Sequence, residues 1–108
     1  MASELLKVAH QVVTNSEMVL INGASGHTYT VLSISICETA GAAETFNLYV
    51  DDNDGGTDHY IYHTQALGAN ETFVHNDRIV IEATDMLGFI TGSSADVDVV
   101  VSYLDQTL

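Results

Sequence analysis

Residues 27–58 read HTYTVLSISICETAGAAETFNLYVDDNDGGTD, and the spacing of apolar residues in this stretch decides the fold class. Leu32, Ile34 and Ile36 alternate with Ser33 and Ser35; after a short run of small residues, Phe46, Leu48 and Val50 alternate with Asn47 and Tyr49. Apolar residues at every second position mark strands with one face buried and one face in water. The two runs predict a β-hairpin, joined by Ala40–Glu44 and closed by the acidic glycine turn after Val50. Ala40–Glu44 has room for one helical turn, though a loop suits it better. Between the apolar positions nothing resembles a nucleophile with its base, or a phosphate-cradling loop.

The same pattern runs through the rest of the chain. Strands are expected at Leu5–Val13, Glu17–Ile21, Thr28–Cys37, Thr45–Val50, His59–His63, Glu71–Val74, Arg78–Ala83, Leu87–Thr91 and Val97–Leu104. Asn22-Gly23, Gly41, Gly55-Gly56, Gly68-Ala69-Asn70, Asn76-Asp77 and Gly92-Ser93-Ser94 punctuate them, because Gly and Asn/Asp supply the positive-φ conformations of tight turns. Turn signals every 8–12 residues or so point to an all-β antiparallel sandwich, jelly-roll or immunoglobulin-like, of about eight strands. A chain of 108 residues makes one such domain over residues 1–108, with residues 1–4 as an arm able to reach a neighbouring subunit. Proline is absent, so acidic side chains are expected to guard the sheet edges.

Composition narrows the function classes. Lys7 and Arg78 stand against 15 acidic residues, a formal net charge of −13. Direct DNA or RNA binding needs a positive footprint, as does binding to an anionic membrane, and this chain offers neither. The charge suits solubility of an apolar β protein, or life in high salt, where screening shortens the Debye length to below about 5 Å. The hydrophobic fraction is 46% and the charged fraction 16%, apolar enough that part of the surface is expected to be covered by a partner. No basic segment precedes an apolar one as in a secretory signal, and no apolar run is long enough to span a bilayer as a helix.

Candidate chemistry is sparse. Cys37 is the only cysteine and has no basic neighbour to activate it, so it reads as a buried, inert thiol. Asp51-Asp52-Asn53-Asp54-Gly55-Gly56 superficially resembles a calcium loop, but Tyr62 stands where an EF-hand has its bidentate glutamate. A hairpin loop is the better reading. His59 and His63 share a strand face yet lie about 13 Å apart at the usual rise, too far for one metal ion. No cofactor, metal or catalytic residue is assigned. Tyr60 and Tyr62 read as aromatics that pack or line a contact surface, with a sugar-binding platform as the alternative. In the last strand Val97, Val99, Val101 and Tyr103 share one face, while Val100 and Leu104 make the other face half apolar, as if partly covered by another subunit. Tyr60, Tyr62, Val100 and Leu104 are therefore the candidate interface residues.

From about residue 20 to 106 the chain resembles small virion structural proteins of tailed bacteriophages, especially those infecting marine bacteria. The resemblance is carried by HTYTVLSISICET with FNLYV, by YIYHTQALGANETF, and by the closing SSADVDVVVSYLDQ. It implies a β-sandwich that assembles on a phage particle in the host cytoplasm and has no enzymatic role. It implies a capsid decoration (cement) protein first: small, β-rich and oligomeric, often trimeric, partnered by itself and by the major capsid protein. A tail, fibre or head–tail connector component is the second reading, and a host-surface carbohydrate-binding module the third. The resemblance is structural and carries over no functional residues.

Overall fold

The computed structural model describes residues 17–52, 56–93 and 96–107, together with the backbone pairing of residues 3–13. Within them run β1 (Ser3–Val13), β2 (Met18–Asn22), β3 (His27–Glu38), β4 (Glu44–Asp51), β5 (Asp58–Leu67), β6 (Thr72–His75), β7 (Ile79–Ile81), β8 (Met86–Thr91) and β9 (Val97–Thr107). One sheet has the order β1-β9-β3-β6, with β7 also on β3; the other has the order β2-β8-β4-β5. Because β6 pairs with Ile34–Cys37 and β7 with Tyr29–Val31, the two lie end to end along one flank of β3 and fill a single strand position.

The pairing is nested: β1 with β9, β2 with β8, β3 with β6 and β7, and β4 with β5, all antiparallel. The chain is thus one long hairpin, tipped by the acidic turn after Asp51 and rolled up so that successive layers alternate between two sheets. That is the jelly-roll arrangement of two four-position sheets, and it settles the choice against an immunoglobulin-like order, whose sheets group ABED and CFG.

The expected hairpin of β3 with β4 does not form. The two strands belong to different sheets, and β4 makes its hairpin with β5 instead. The reason lies in Glu38, whose side chain turns inward at the end of β3 and is 1% exposed. Its carboxylate accepts hydrogen bonds from the backbone amides of Ala40 (2.8 Å), Gly41 (2.8 Å) and Ala42 (3.1 Å), and from Asn70 (3.0 Å) in the β5–β6 loop. Gly41, at φ +80°, supplies the left-handed turn that aims these amides at one point. The loop is bent over the end of the sandwich into the opposite sheet rather than back along β3.

The alternation in β3 also changes phase once. Pairing with β9 skips a residue between Val31 and Ser33, so Leu32 is the extra residue of a bulge. Tyr29 and Val31 face the core before it and Ile34 and Ile36 after it, while Leu32, expected in line with Ile34, is only half-buried. Phe46 and Leu48 are buried as their spacing predicts, and Val50 packs against the core from a half-buried position. Val97, Val99 and Val101 are fully buried in β9. Against them the second sheet sets Leu87, Phe89, Phe46 and Leu48, with Phe46 stacked on Phe89 at 5.2 Å and edge-on to Phe73 at 5.4 Å. Burying each such side chain stabilises the fold by about 1.5–3 kcal/mol.

Strand ends differ modestly from expectation. β1 pairs from Ser3, opposite Thr107, so of the proposed arm only Met1 and Ala2 lie outside the described residues. β5 runs on to Leu67 by means of two bulges, one at Ile61 and one across His63 and Thr64. Thr64 sits at φ +53°, unusual for a β-branched residue, and its amide is held by the Asn47 side chain at 2.6 Å. β5 is an edge strand, and bulges of this kind twist an edge away from pairing with another chain. No helix of the described residues is long and apolar enough to cross a membrane.

Candidate functional site: two unlike outer faces

A rolled hairpin leaves each sheet one outward face, and the two faces have different chemistry. On the first sheet, cross-strand partners share a side, so the register builds rows of outward residues. Val74, Ser35 and Val100 make one row, and Val80, Thr30 and Leu104 another. Ser33 pairs with Ser102, and Cys37 lies between Thr72 and Asp98. Asp98 is the only acidic residue in these rows, although the chain carries 15. Val74 is 51% exposed, Val80 52% and Val100 39%, so the valines stand open to solvent rather than under a loop.

The second sheet presents aromatics and carboxylates. Tyr49 is flanked in register by Gly88 on β8 and Tyr60 on β5. The ring of Tyr49 lies over Gly88: a Cβ there would meet the ring at 2.4 Å, so only glycine gives it room. The Tyr49 hydroxyl donates to Glu17, and the ring meets Tyr60 edge-on at 5.9 Å. Tyr60, 51% exposed, contacts the His63 ring at 4.6 Å. Burial, then the hydrogen bond to Glu17 and the charges of Glu17, Asp58 and Asp51, push the Tyr49 hydroxyl far above the usual phenol range. Asp51 and Asp58 are directly opposite across β4 and β5. Desolvation, then the charges of Asp51 and Glu17, raise the Asp58 carboxyl above its ordinary value, against the opposing pull of His59.

The four candidate interface residues are distributed over three environments. Val100 and Leu104 lie on the first face and Tyr60 on the second. Tyr62 lies on neither. The bulge at Ile61 inserts one residue between the two tyrosines, so Tyr60 pairs outward with Tyr49 while Tyr62 pairs inward with Leu48. Tyr62 packs against Phe73 (5.0 Å) and Phe46 (6.0 Å), and its hydroxyl is 2.7 Å from His75 Nδ1. Burial, reinforced by Asp77, raises its hydroxyl above the usual phenol range. His75 is 5% exposed and its Nε2 has no hydrogen-bond partner.

With two basic residues in the chain, carboxylates find other partners. Four amides, that of Asn70 foremost, hold Glu38 below the usual carboxylate range against the effect of burial. Glu44 takes the Ser93 hydroxyl at 2.6 Å and the Ser93 amide at 3.1 Å, tying down the turn after β8. His27 Nδ1 is 2.7 Å from the buried Asp105. His59 Nε2 is 2.8 Å from Asp52 and, with the Thr57 amide, holds that carboxyl below its ordinary value. His59 and His63 therefore have separate partners. Among the described residues no three His, Cys, Asp or Glu side chains are grouped to hold a metal ion; Asn53, Asp54 and Gly55 of the acidic turn lie outside the described residues. Cys37 is half-buried, more open than a core thiol, with its Sγ 3.9 Å from the Glu38 carbonyl.

Sequence reasoning missed Glu38, Tyr49 and the Tyr62–His75 pair. Gly88 was the available signal for Tyr49, since a glycine inside a strand marks a place where something approaches closely.

No protein-family model matches the chain, and no curated protein does. Among solved structures the chain is similar to a subunit of the disulfide-linked endospore appendage pili of Bacillus, with 12% identity and a TM-score of 0.55, over 98% of this chain and 87% of that one. It is similar to the Drosophila NLP core, known for pentamer formation and histone binding, with 16% identity and a TM-score of 0.54, over 91% and 97% of the two chains. It is also similar to a chain in the acid-stable capsid of Helicobacter pylori bacteriophage KHP30, with 16% identity and a TM-score of 0.50, over 100% and 94%. At these identities the likeness is one of fold, and the fold is shared nearly end to end by a pilus subunit, a pentamer subunit and a capsid chain.

Proposed function

We propose that this chain is a structural protein of a tailed bacteriophage virion, a capsid decoration protein that assembles with copies of itself and binds the major capsid protein on the head. The observation that carries the reading is the match over 94% of a capsid chain of similar size. It supports, at the level of the fold, the phage resemblance of residues 20–106. The proposed role is one of surface rather than reaction. A sandwich with a neutral outer face and an acidic one can be covered on one side and stay solvated on the other, as a component added to a shell must be.

The test is the copy number and position of the chain in virus particles purified from its source, by quantitative mass spectrometry and electron microscopy. Hundreds of copies on the head surface are expected. Five to about a dozen copies at the neck or tail would move the chain to the connector or tail reading, and absence from particles would reject a virion role. A carbohydrate-binding role has one feature in its favour, the half-exposed Tyr60 beside Asp58 and His63. Glycan-array binding lost in Tyr60→Ala would support that role against decoration.

A further inference from the structure

We propose that the neutral outer face, formed by β3, β6, β7 and β9, is where two copies of this chain meet, related by a two-fold axis. This pairing is independent of the virion reading, since a chain that never enters a particle would pair through the same face.

Electrostatics singles out the face. A chain of net charge −13 repels its own copy from most directions, because carboxylates on both would come within a Debye length, about 8 Å at physiological ionic strength. The centre of this face is the exception. Thr30, Ser33, Ser35, Val74, Val80 and Val100 carry no charge, Asp98 lies off-centre in the row of Cys37 and Thr72, and at the flank between β6 and β7 the exposed Asp77 and Arg78 are of opposite sign. The same charge distribution selects the occupant: a basic partner is drawn to the opposite face, with Glu17, Asp51 and Asp58, and gains nothing here. A second copy meets less repulsion here than across the acidic face.

Shape and size suit the same contact. Val74, Val80 and Val100 are exposed short side chains, and in register they lie beside Ser35 and Thr30. Such faces interdigitate at about 10 Å between sheets, as in a sandwich core. The molecule measures 47 × 27 Å across its two longer axes, room for the roughly 800 Å² per partner that a specific interface buries. A two-fold contact uses one patch twice, so every residue pair across it occurs twice.

The experiment is sedimentation velocity over a concentration series, on the wild-type chain, on Val100→Glu and Val74→Glu, and on Val19→Glu as a control on the other sheet. Circular dichroism and thermal melting establish that each variant is folded. The wild type is expected to form dimers; the two face variants are expected to weaken dimerisation about tenfold or more by burying an unpaired charge, and Val19→Glu to leave it unchanged. Cys37 gives a second reading without mutation, because maleimide labelling of this face should slow as dimers form. A wild type that stays monomeric at about millimolar concentration, an oligomer of odd number, or dimers that survive both face variants would overturn the proposal.

Discussion

The two outer faces belong to sheets of the same layout, four strand positions each, yet among the described residues the paired rows of one carry Asp98 as their only acid, while the other gathers Glu17, Asp51 and Asp58 around Tyr49. The fold does not require this difference. Both inner faces must be apolar to make the core, but an outer face can be anything soluble. The placement of like charges Asp51 and Asp58 directly opposite each other works against stability, while Ser33 opposite Ser102 on the other sheet is neutral. Acidic residues are concentrated where they repel one another and, Asp98 apart, are missing from the described rows of the face where they would repel a neighbour. The asymmetry is what the proposed assembly explains.

The largest expected effect tests the support beneath both faces. Glu38→Ala removes the acceptor for four amides from two loops, and it should lower the melting temperature more than any of the substitutions that follow, because four hydrogen bonds to one buried carboxylate are lost together. Its pH dependence has a definite sign. The folded carboxyl titrates below its unfolded value, so its stabilisation is present above the ordinary carboxylate range and is lost as pH falls through the folded value. Acid melting curves of wild type and Glu38→Gln should therefore converge at low pH.

Next, Gly88→Val drives a side chain into the Tyr49 ring and should cost about 1–3 kcal/mol in urea denaturation. Ser35→Val, the matching change on the neutral face, should stay within about 0.5 kcal/mol. Equal losses at the two positions would erase the structural difference between the faces. Tyr62→Phe leaves the second nitrogen of buried His75 without a partner and should cost about 1–2 kcal/mol. In the double variant with His75→Leu, part of that loss should be recovered; a Tyr62 lying on an outer surface would give neither result.

The smallest effect is the most specific to the acidic face. Asp58 titrates above its unfolded value, so its charged form disfavours the folded state, and stability falls as pH rises through that window. Asp58→Asn should raise the melting temperature slightly at neutral pH and leave it unchanged below the carboxylate range. The sign is opposite to that of Glu38→Gln, which separates a carboxylate held by amides from one crowded by its own kind.

The parts legible in the sequence were those set by period two. Val97, Val99 and Val101, or Phe46 and Leu48, declare their sheet face without any tertiary information. What alternation cannot reveal is an inserted residue: the bulge at Leu32 moved that side chain out of line with Ile34, and the bulge at Ile61 sent Tyr60 and Tyr62 to opposite sides. Nor does a loop state which sheet the next strand will join. The Ala40–Glu44 segment looks like a hairpin connection by length, and only the amide contacts of Glu38, one of them 32 residues away at Asn70, turn it across the sandwich. Val100 and Leu104 were readable as an outward pair, but their neighbours Val74, Val80, Ser35 and Thr30 come from other strands and become a face only through the register.

Assembly, on this reading, covers the neutral face and leaves the acidic one in solvent. The most direct measurement is an electron-microscopic reconstruction of purified particles at a resolution that traces this chain. Copies on the head in two-fold pairs are expected, with Val74, Val80 and Val100 buried between them and Tyr60 open to solvent. Copies with those valines in solvent and Tyr60 buried against a neighbour would contradict it.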